Sequence, residues 1–298
     1  MNSKKTNIFI EPKELIKKIN DDPNFRYKIL DATFYLPNSG LDAEQEFNGE
    51  HIKNSVFFDI NKIAASDNSL PHMIPSKNEF SLMMQKLGVN KDDVIILYDN
   101  SPFLSSSRGW FLFRYFGHND ILILKGGLKN WKNCNGAISS KKTNPKQGNF
   151  EAIIERKELV VNLNQMIFES KNNSKLILDA RSEKRYLGEA KEPRPGLPSG
   201  HIPNSQSIPA SDLISSNGYL KSLEELNEYF LAKNIDKKDD IIATCGSGVS
   251  ACVISIALYC LGKEDVPIYD GSWTEWASSG QKIKISILMV KIKSQTSK

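Results

Sequence analysis

Four short motifs occur twice in this chain, in the same order and at a nearly constant distance. Ile29-Leu30-Asp31-Ala32 returns as Ile177-Leu178-Asp179-Ala180, 148 positions later. His51-Ile52-Lys53-Asn54-Ser55 returns as His201-Ile202-Pro203-Asn204-Ser205 after 150 positions. The apolar run from Val94 to Tyr98 before Asp99 returns as Ile241 to Thr244 before Cys245, after 146, and Gly126-Gly127-Leu128-Lys129-Asn130-Trp131 returns as Gly271-Ser272-Trp273-Thr274-Glu275-Trp276, after 145. A period close to half of the 298 residues means two copies of one domain rather than a solenoid of short units. The polar segment 139–149, broken by Pro145 and Gly148, separates them. The expected organisation is one unit over 8–138, a linker over 139–155, a second unit over 156–280 and a basic tail over 281–298.

Within each copy, short apolar runs read as buried parallel strands: Lys28 to Ala32, Val94 to Tyr98, Leu176 to Leu178 and Ile241 to Thr244. Helical patterns lie between them, as in Glu79 to Leu87 and Leu223 to Lys233. This alternation predicts an α/β fold with a parallel sheet covered on both faces. Ligands of such sheets sit at the carboxyl ends of strands, which points to Asp99 in the first copy and Cys245 in the second. A net charge of +4 spread over the chain gives no footprint for nucleic acid. The start of the chain, Met1 to Asn7, lacks an apolar signal segment, and the longest apolar run, Val253 to Leu261, is too short to span a bilayer. Cys134, Cys245, Cys252 and Cys260 form no CxxC pair and no zinc-ligand spacing. The expectation is a soluble cytoplasmic monomer with neither metal nor organic cofactor and no membrane partner.

Cys245 ends its strand and is followed by Gly246-Ser247-Gly248-Val249-Ser250, then by a helix-compatible run. A strand, a small-residue loop and a helix amino-terminus form an anion cradle of converging backbone N–H groups, a setting that favours thiolate over thiol. Cys-x5-Arg phosphatases use a similar loop, but the position of their arginine is Ala251 here, so the phosphate clamp is missing. The competing reading is a buried structural cysteine in a glycine-rich turn. Cys252 and Cys260 read as core packing.

On these residues the chain resembles the tandem rhodanese-domain sulfurtransferases, over about Ile29 to Trp276, and among them the branch that uses 3-mercaptopyruvate. The resemblance rests on Cys245-Gly246-Ser247-Gly248-Val249 and on the closing Asp270 to Trp276, whose tryptophans read as structural. It implies two tandem rhodanese-like domains, the first inactive with Asp99 at the cysteine position. It also implies a persulfide held by the backbone of Gly246, Ser247, Gly248, Val249 and Ser250. Thiosulfate-using relatives typically carry two cationic residues directly after the cysteine, whereas Gly246 and Ser247 are uncharged.

Arg185 and Arg194, nine apart in a loop rich in glycine and proline, can converge on one carboxylate, and the resemblance assigns them to the substrate's carboxylate and carbonyl. Alternatively they are surface arginines bonded to Glu189 or Glu192. The resemblance brings Asp59 and His72 across the cleft: with Ser247 they would form a relay in which His72, oriented by Asp59, takes a proton from Cys245 or the substrate thiol. The plainer readings are a packed loop histidine and a loop-capping aspartate. His51 and His201, present in both copies, read as structural, as do Asp31, Asp179 and Arg181. The implied reaction passes sulfur from 3-mercaptopyruvate to Cys245 and then to a thiol such as thioredoxin or glutathione, or to cyanide. A thiosulfate sulfurtransferase and a noncatalytic sulfur carrier remain the alternatives. The tail from Lys282 to Lys293 resembles nothing in the family, and its alternation allows an edge strand.

Overall fold

A computed structural model describes residues 8–236 and 238–285. The first unit contains β1 (Phe9–Ile10), α1 (Pro12–Asp21), β2 (Tyr27–Asp31), α2 (Ala43–Gly49), β3 (His51–Ile52), β4 (Val56–Phe57), α3 (Lys77–Lys86), β5 (Val94–Tyr98), α4 (Ser106–Tyr115), β6 (Ile121–Leu124), α5 (Gly127–Asn133) and β7 (Ile138–Ser139). The second contains β8 (Val160–Val161), α6 (Leu163–Asn172), β9 (Leu176–Asp179), α7 (Glu183–Leu187), β10 (Ser205–Ser207), α8 (Leu223–Ala232), β11 (Ile241–Thr244), α9 (Ala251–Cys260), β12 (Ile268–Tyr269) and α10 (Ser272–Ser278).

The two main sheets have the same strand order, β1-β6-β5-β2-β4 and β8-β12-β11-β9-β10, with every neighbouring pair parallel. Asp31 pairs with Tyr98 in one and Asp179 with Thr244 in the other, so the loops that begin at Asp99 and Cys245 leave corresponding sheet ends. Alternate strand residues face opposite sides. In the first unit Ile29, Ile96 and Leu124 pack with Leu15 of α1 and Trp131 of α5, while Leu30, Ile95, Leu97 and Ile123 face α3 and α4. Helix starts follow local chemistry: Ser76 with Glu79 and Ser222 with Glu225 close capping boxes at α3 and α8.

The repeat extends further along the chain than the motifs alone indicated. Trp131 Nε1 donates to Ala137 O at 3.0 Å and Trp276 Nε1 to Lys282 O at 3.0 Å. β3 pairs antiparallel with β7, His51 opposite Ser139, and His201 forms the matching antiparallel bridge with Lys284. Lys284, four residues past the expected boundary, thereby pairs with the second unit's margin. Lys284 forms a single bridge rather than a strand, and the rest of the tail expected to give an edge strand, 286–293, lies outside the described residues, as does the reading of Met1 to Asn7. In the expected linker, Phe150 and Ala152 are buried and Phe150 N donates to Val89 O at 3.1 Å, so this stretch is strapped onto the first unit.

The helices that follow the two equivalent loops, α4 and α9, meet at the centre of the molecule. Every residue of α4 and residues 251–258 of α9 are buried, as expected of helices apolar on all sides. One continuous apolar core consequently joins both units. Trp110 of α4 meets Tyr259 of α9 edge-on at 5.2 Å between centroids, and the Arg114 guanidinium lies 4.7 Å and 4.5 Å from those two rings. Among the described residues, no helix is long and apolar enough to cross a membrane.

A buried ion pair is set into this interface. Arg108, only 1 % exposed, donates from α4 to Asp270 Oδ1 at 3.1 Å, to Gly248 O at 3.2 Å and to His72 O. Asp270 in turn accepts from Ile74 N at 2.7 Å. Replacing Arg108 by Ala leaves a buried carboxylate without its cation, so R108A is expected to lose about 3–5 kcal/mol of stability. The test is denaturant unfolding, with D270N as the neutral counterpart.

Candidate active site

The loop 245–250 is shaped by bonds to its carbonyls. Cys245 O accepts from Trp273 N at 2.9 Å, and Gly246 O accepts from Thr274 N at 3.0 Å and Thr274 Oγ1 at 2.7 Å. With its carbonyls drawn toward α10, the loop turns N–H groups inward. Those of Gly246, Ser247, Val249 and Ser250 have no partner in the chain among the described residues. Converging free amides at the start of α9 form a nest for an anion. Cys245, 2 % exposed, lies at its base. Cys252 behaves differently: it is fully buried, donates to Gly248 O at 3.3 Å, and its thiol is pushed up to about 12 by burial.

The first unit builds the same cradle and fills it. Asp99 Oδ1 accepts from Ser101 N at 3.0 Å and Ser101 Oγ at 2.6 Å, and Oδ2 accepts from Ser106 N at 3.0 Å. A carboxylate of the chain itself takes the anion's place, and that loop carries no cysteine.

Ser272, missed in the sequence, is the support beneath the cysteine loop. Its hydroxyl donates to Tyr269 O at 2.7 Å, accepts from Cys245 N at 3.2 Å and Gly248 N at 3.1 Å, and lies 4.0 Å from Cys245 Sγ. The repeat held the signal, since the matching residue of the inactive copy is Gly127. Arg108 was legible too, as a lone charge ahead of the run Trp110-Phe111-Leu112-Phe113.

The two arginines reach the loop by different routes. Arg185 forms a two-pronged pair with Glu192, at 3.2 Å from Nε and 2.5 Å from its terminal nitrogen, so the Glu192 alternative weighed for it is realised. It stays at the site nonetheless: a Cβ on Gly246 would lie 3.0 Å from its guanidinium. Glu192 also binds the buried Arg181 at 2.9 Å, and Arg181 closes on Asp179 at 2.7 Å. Arg194 has no hydrogen-bond partner in the chain among the described residues, and it feels both Cys245 and Arg185. Three guanidiniums meet two carboxylates there, which leaves one positive charge for an anionic ligand.

From the first unit, His72 crosses the interface and its Nδ1 lies 2.9 Å from Ser247 Oγ. Its backbone has φ of +62°, a left-handed conformation that a non-glycine residue rarely adopts and that Arg108 holds through the His72 carbonyl. Burial, reinforced by Arg194 and Arg108, pushes the imidazole down to about 3, so it is neutral at any ordinary pH. The expected orientation by Asp59 is corrected: Asp59 pairs with Lys62 at 2.9 Å and accepts from Asn61 N at 3.0 Å. The group on His72 Nε2 is Asn61 Oδ1, at 3.0 Å. An Asx turn starting at Asp59 presents its i+2 residue, Asn61, to the ring. His51 and His201 bond Phe47 O and Tyr186 O at 2.7 and 2.9 Å, in the structural role expected of them. Among the described residues no cluster of His, Cys, Asp and Glu is able to hold a metal ion.

Gly248 has φ of +76°, and a Cβ there would lie 3.0 Å from Asp270 O and 3.2 Å from the Arg108 guanidinium. G248A is therefore expected to cost about 1–3 kcal/mol in thermal or denaturant unfolding. By shifting the amide nest it should also lower any Cys245-dependent turnover about 100-fold.

The comparisons agree with this geometry. The rhodanese-like domain family matches residues 11–134 and again 161–279. The 3-mercaptopyruvate sulfurtransferase of Homo sapiens is 38 % identical over 257 residues, 84 % of each chain. The thiosulfate sulfurtransferase of Rattus norvegicus is 35 % identical over 252 residues, again 84 % of each. Among solved structures, SseA from Escherichia coli, described as a 3-mercaptopyruvate sulfotransferase, superimposes with a TM-score of 0.80 at 34 % identity, covering 90 % of this chain and 99 % of that one. With two matched domains, one cysteine loop and one filled loop, the chain belongs to the tandem rhodanese-domain sulfurtransferases.

Proposed function

We propose that the chain transfers sulfur from 3-mercaptopyruvate to an acceptor through a persulfide on Cys245. The observation that carries this reading is the charge layout around the loop. The positions directly after Cys245 are uncharged, while Arg194 stands without an internal partner and Arg185 stands over Gly246. A 2-oxo carboxylate presents a flat pair of acceptors that suits two guanidiniums beside a neutral loop. Thiosulfate, a compact dianion, is served by cations on the loop itself, and a longer side chain at 246 would displace Arg185.

In the proposed reaction Cys245 passes its proton to Ser247 Oγ while the serine hydroxyl proton moves to His72 Nδ1. In the same step the emerging thiolate attacks the substrate sulfur, a sulfur–sulfur bond forms and the carbon–sulfur bond breaks. Its electron pair remains on the pyruvate enolate, whose carbon takes the proton back through Ser247. The outer sulfur carries the substrate's thiol proton until it is lost to solvent; the loop amides stabilise the resulting persulfide anion, which a thiol such as thioredoxin or glutathione, or cyanide, then discharges. No step calls for a metal or organic cofactor. One chain supplies both sides of the cleft, so a monomer suffices. The four cysteines are unpaired thiols, in keeping with the cytoplasmic residence we assign.

Steady-state sulfur transfer to cyanide tests the reading, with kcat/KM compared for 3-mercaptopyruvate and thiosulfate in one buffer. A preference of about 100-fold for mercaptopyruvate is expected, some ~2.7 kcal/mol of differential transition-state binding. R194Q should lose about 10- to 100-fold in kcat/KM for mercaptopyruvate, the worth of a charged hydrogen bond. C245S should abolish both transfer and the persulfide mass increment. Equal or better use of thiosulfate would overturn the assignment of the donor.

A further inference from the structure

We infer that Asn61 is a positioning residue that holds His72 in a single neutral tautomer and thereby sets the direction of the proton relay. The inference deepens the proposed function and rests on that reading for its catalytic consequence, but the tautomer itself is a property of the free protein. The assignment follows from the end of the Asn61 amide that faces the ring. His72 contacts Ser247 Oγ at 2.9 Å through Nδ1 and an Asn61 amide at 3.0 Å through Nε2. With the Asn61 oxygen facing the ring, Nε2 must carry the hydrogen, because a carbonyl oxygen only accepts. Nδ1 then holds a lone pair, and the Ser247 hydroxyl must be the donor to it. The serine oxygen keeps its own lone pairs for a sulfhydryl proton.

A carboxylate in place of this amide would do something else. It would stabilise the imidazolium and let the ring store a proton at rest. Every charge facing His72 disfavours that: Arg194 from the substrate loop, and Arg108, bonded to the His72 carbonyl, whose charge Asp270 offsets at 3.1 Å. Asp59, expected to orient the ring, is spent on Lys62 and on the Asn61 backbone nitrogen. Phe34 covers the ring edge-on at 5.0 Å between centroids. His72 thus accepts its proton only while the sulfur–sulfur bond forms and returns it to the enolate through the same serine. Asn61 is exposed, so changing it leaves the core intact.

The test is nitrogen-15 NMR of the histidine rings in the full chain, whose four histidines make assignment by single His-to-Gln variants practical. The wild type is expected to show His72 as the Nε2–H tautomer with no titration from pH 5 to 8. In N61D its midpoint should rise by about 1–3 pH units, the effect of a contacting carboxylate, and a matching acid limb should enter the kcat profile. N61L, which has no acceptor, should mix the tautomers and lower kcat about 100-fold, with KM for mercaptopyruvate within about twofold. An Nδ1–H tautomer, titration near the ordinary value of about 6.5, or full kcat in N61L would overturn the inference. If the tautomer pattern holds while the wild type transfers no sulfur from mercaptopyruvate, the proposed donor fails and the Asn61 assignment stands.

Discussion

The Arg108 guanidinium, buried between the two units, ties together three segments on which the site depends. It bonds the cysteine loop at Gly248 O, the His72 carbonyl and the Asp270 carboxylate, and Asp270 fixes Ile74 two residues past His72. A charge so deeply buried is tolerable only with its partners in place. The same condition aligns the two units: whatever seats Arg108 also sets His72 opposite Ser247 and holds that histidine in its left-handed backbone. Apolar packing between α4 and α9 supplies adhesion without direction, and this cluster supplies the direction.

A second constraint is the fate of the amide nest in each copy. Both copies build a strand, a loop and a buried helix, and both therefore present backbone N–H groups that need an acceptor. The first copy gives two of them, Ser101 N and Ser106 N, to Asp99. The second keeps several of them free around Cys245 and moves the support underneath, to Ser272. At the equivalent Gly127 a Cβ would lie 2.2 Å from Asp99 O, so a serine there could not coexist with the filled loop. The Asp99/Cys245 difference and the Gly127/Ser272 difference are thus one physical change read at two positions.

Much of this was legible without coordinates. Val94 to Tyr98 and Ile241 to Thr244 are strands over the residues anticipated, because continuous apolar runs closed by polar residues are hard to place elsewhere. Helix α8 starts at Leu223 as anticipated, whereas α3 starts at Lys77, two residues before the expected Glu79, because Ser76 caps it. The cysteine loop announced itself through the small residues that follow Cys245. Asn61 was not legible: local spacing could not distinguish Asp59 from the residue two positions on, since the choice depends on which side chain the turn presents across the interface. Nor was the pairing of Lys284 with His201, which joins residues far apart in the chain.

The sequence by itself determined the duplication, the α/β class, the central strands, and which copy carries the cysteine loop, because hydrophobic period, turn chemistry and residue identity are local quantities. The tertiary structure alone decided how Glu192 shares its charge between Arg181 and Arg185, why Arg194 is left without an internal partner, and which side chain reaches His72 Nε2. Hydrogen bonds and ion pairs depend on ångström distances between groups as much as 196 positions apart, as from Ile74 to Asp270, and only the packed interface brings those groups together.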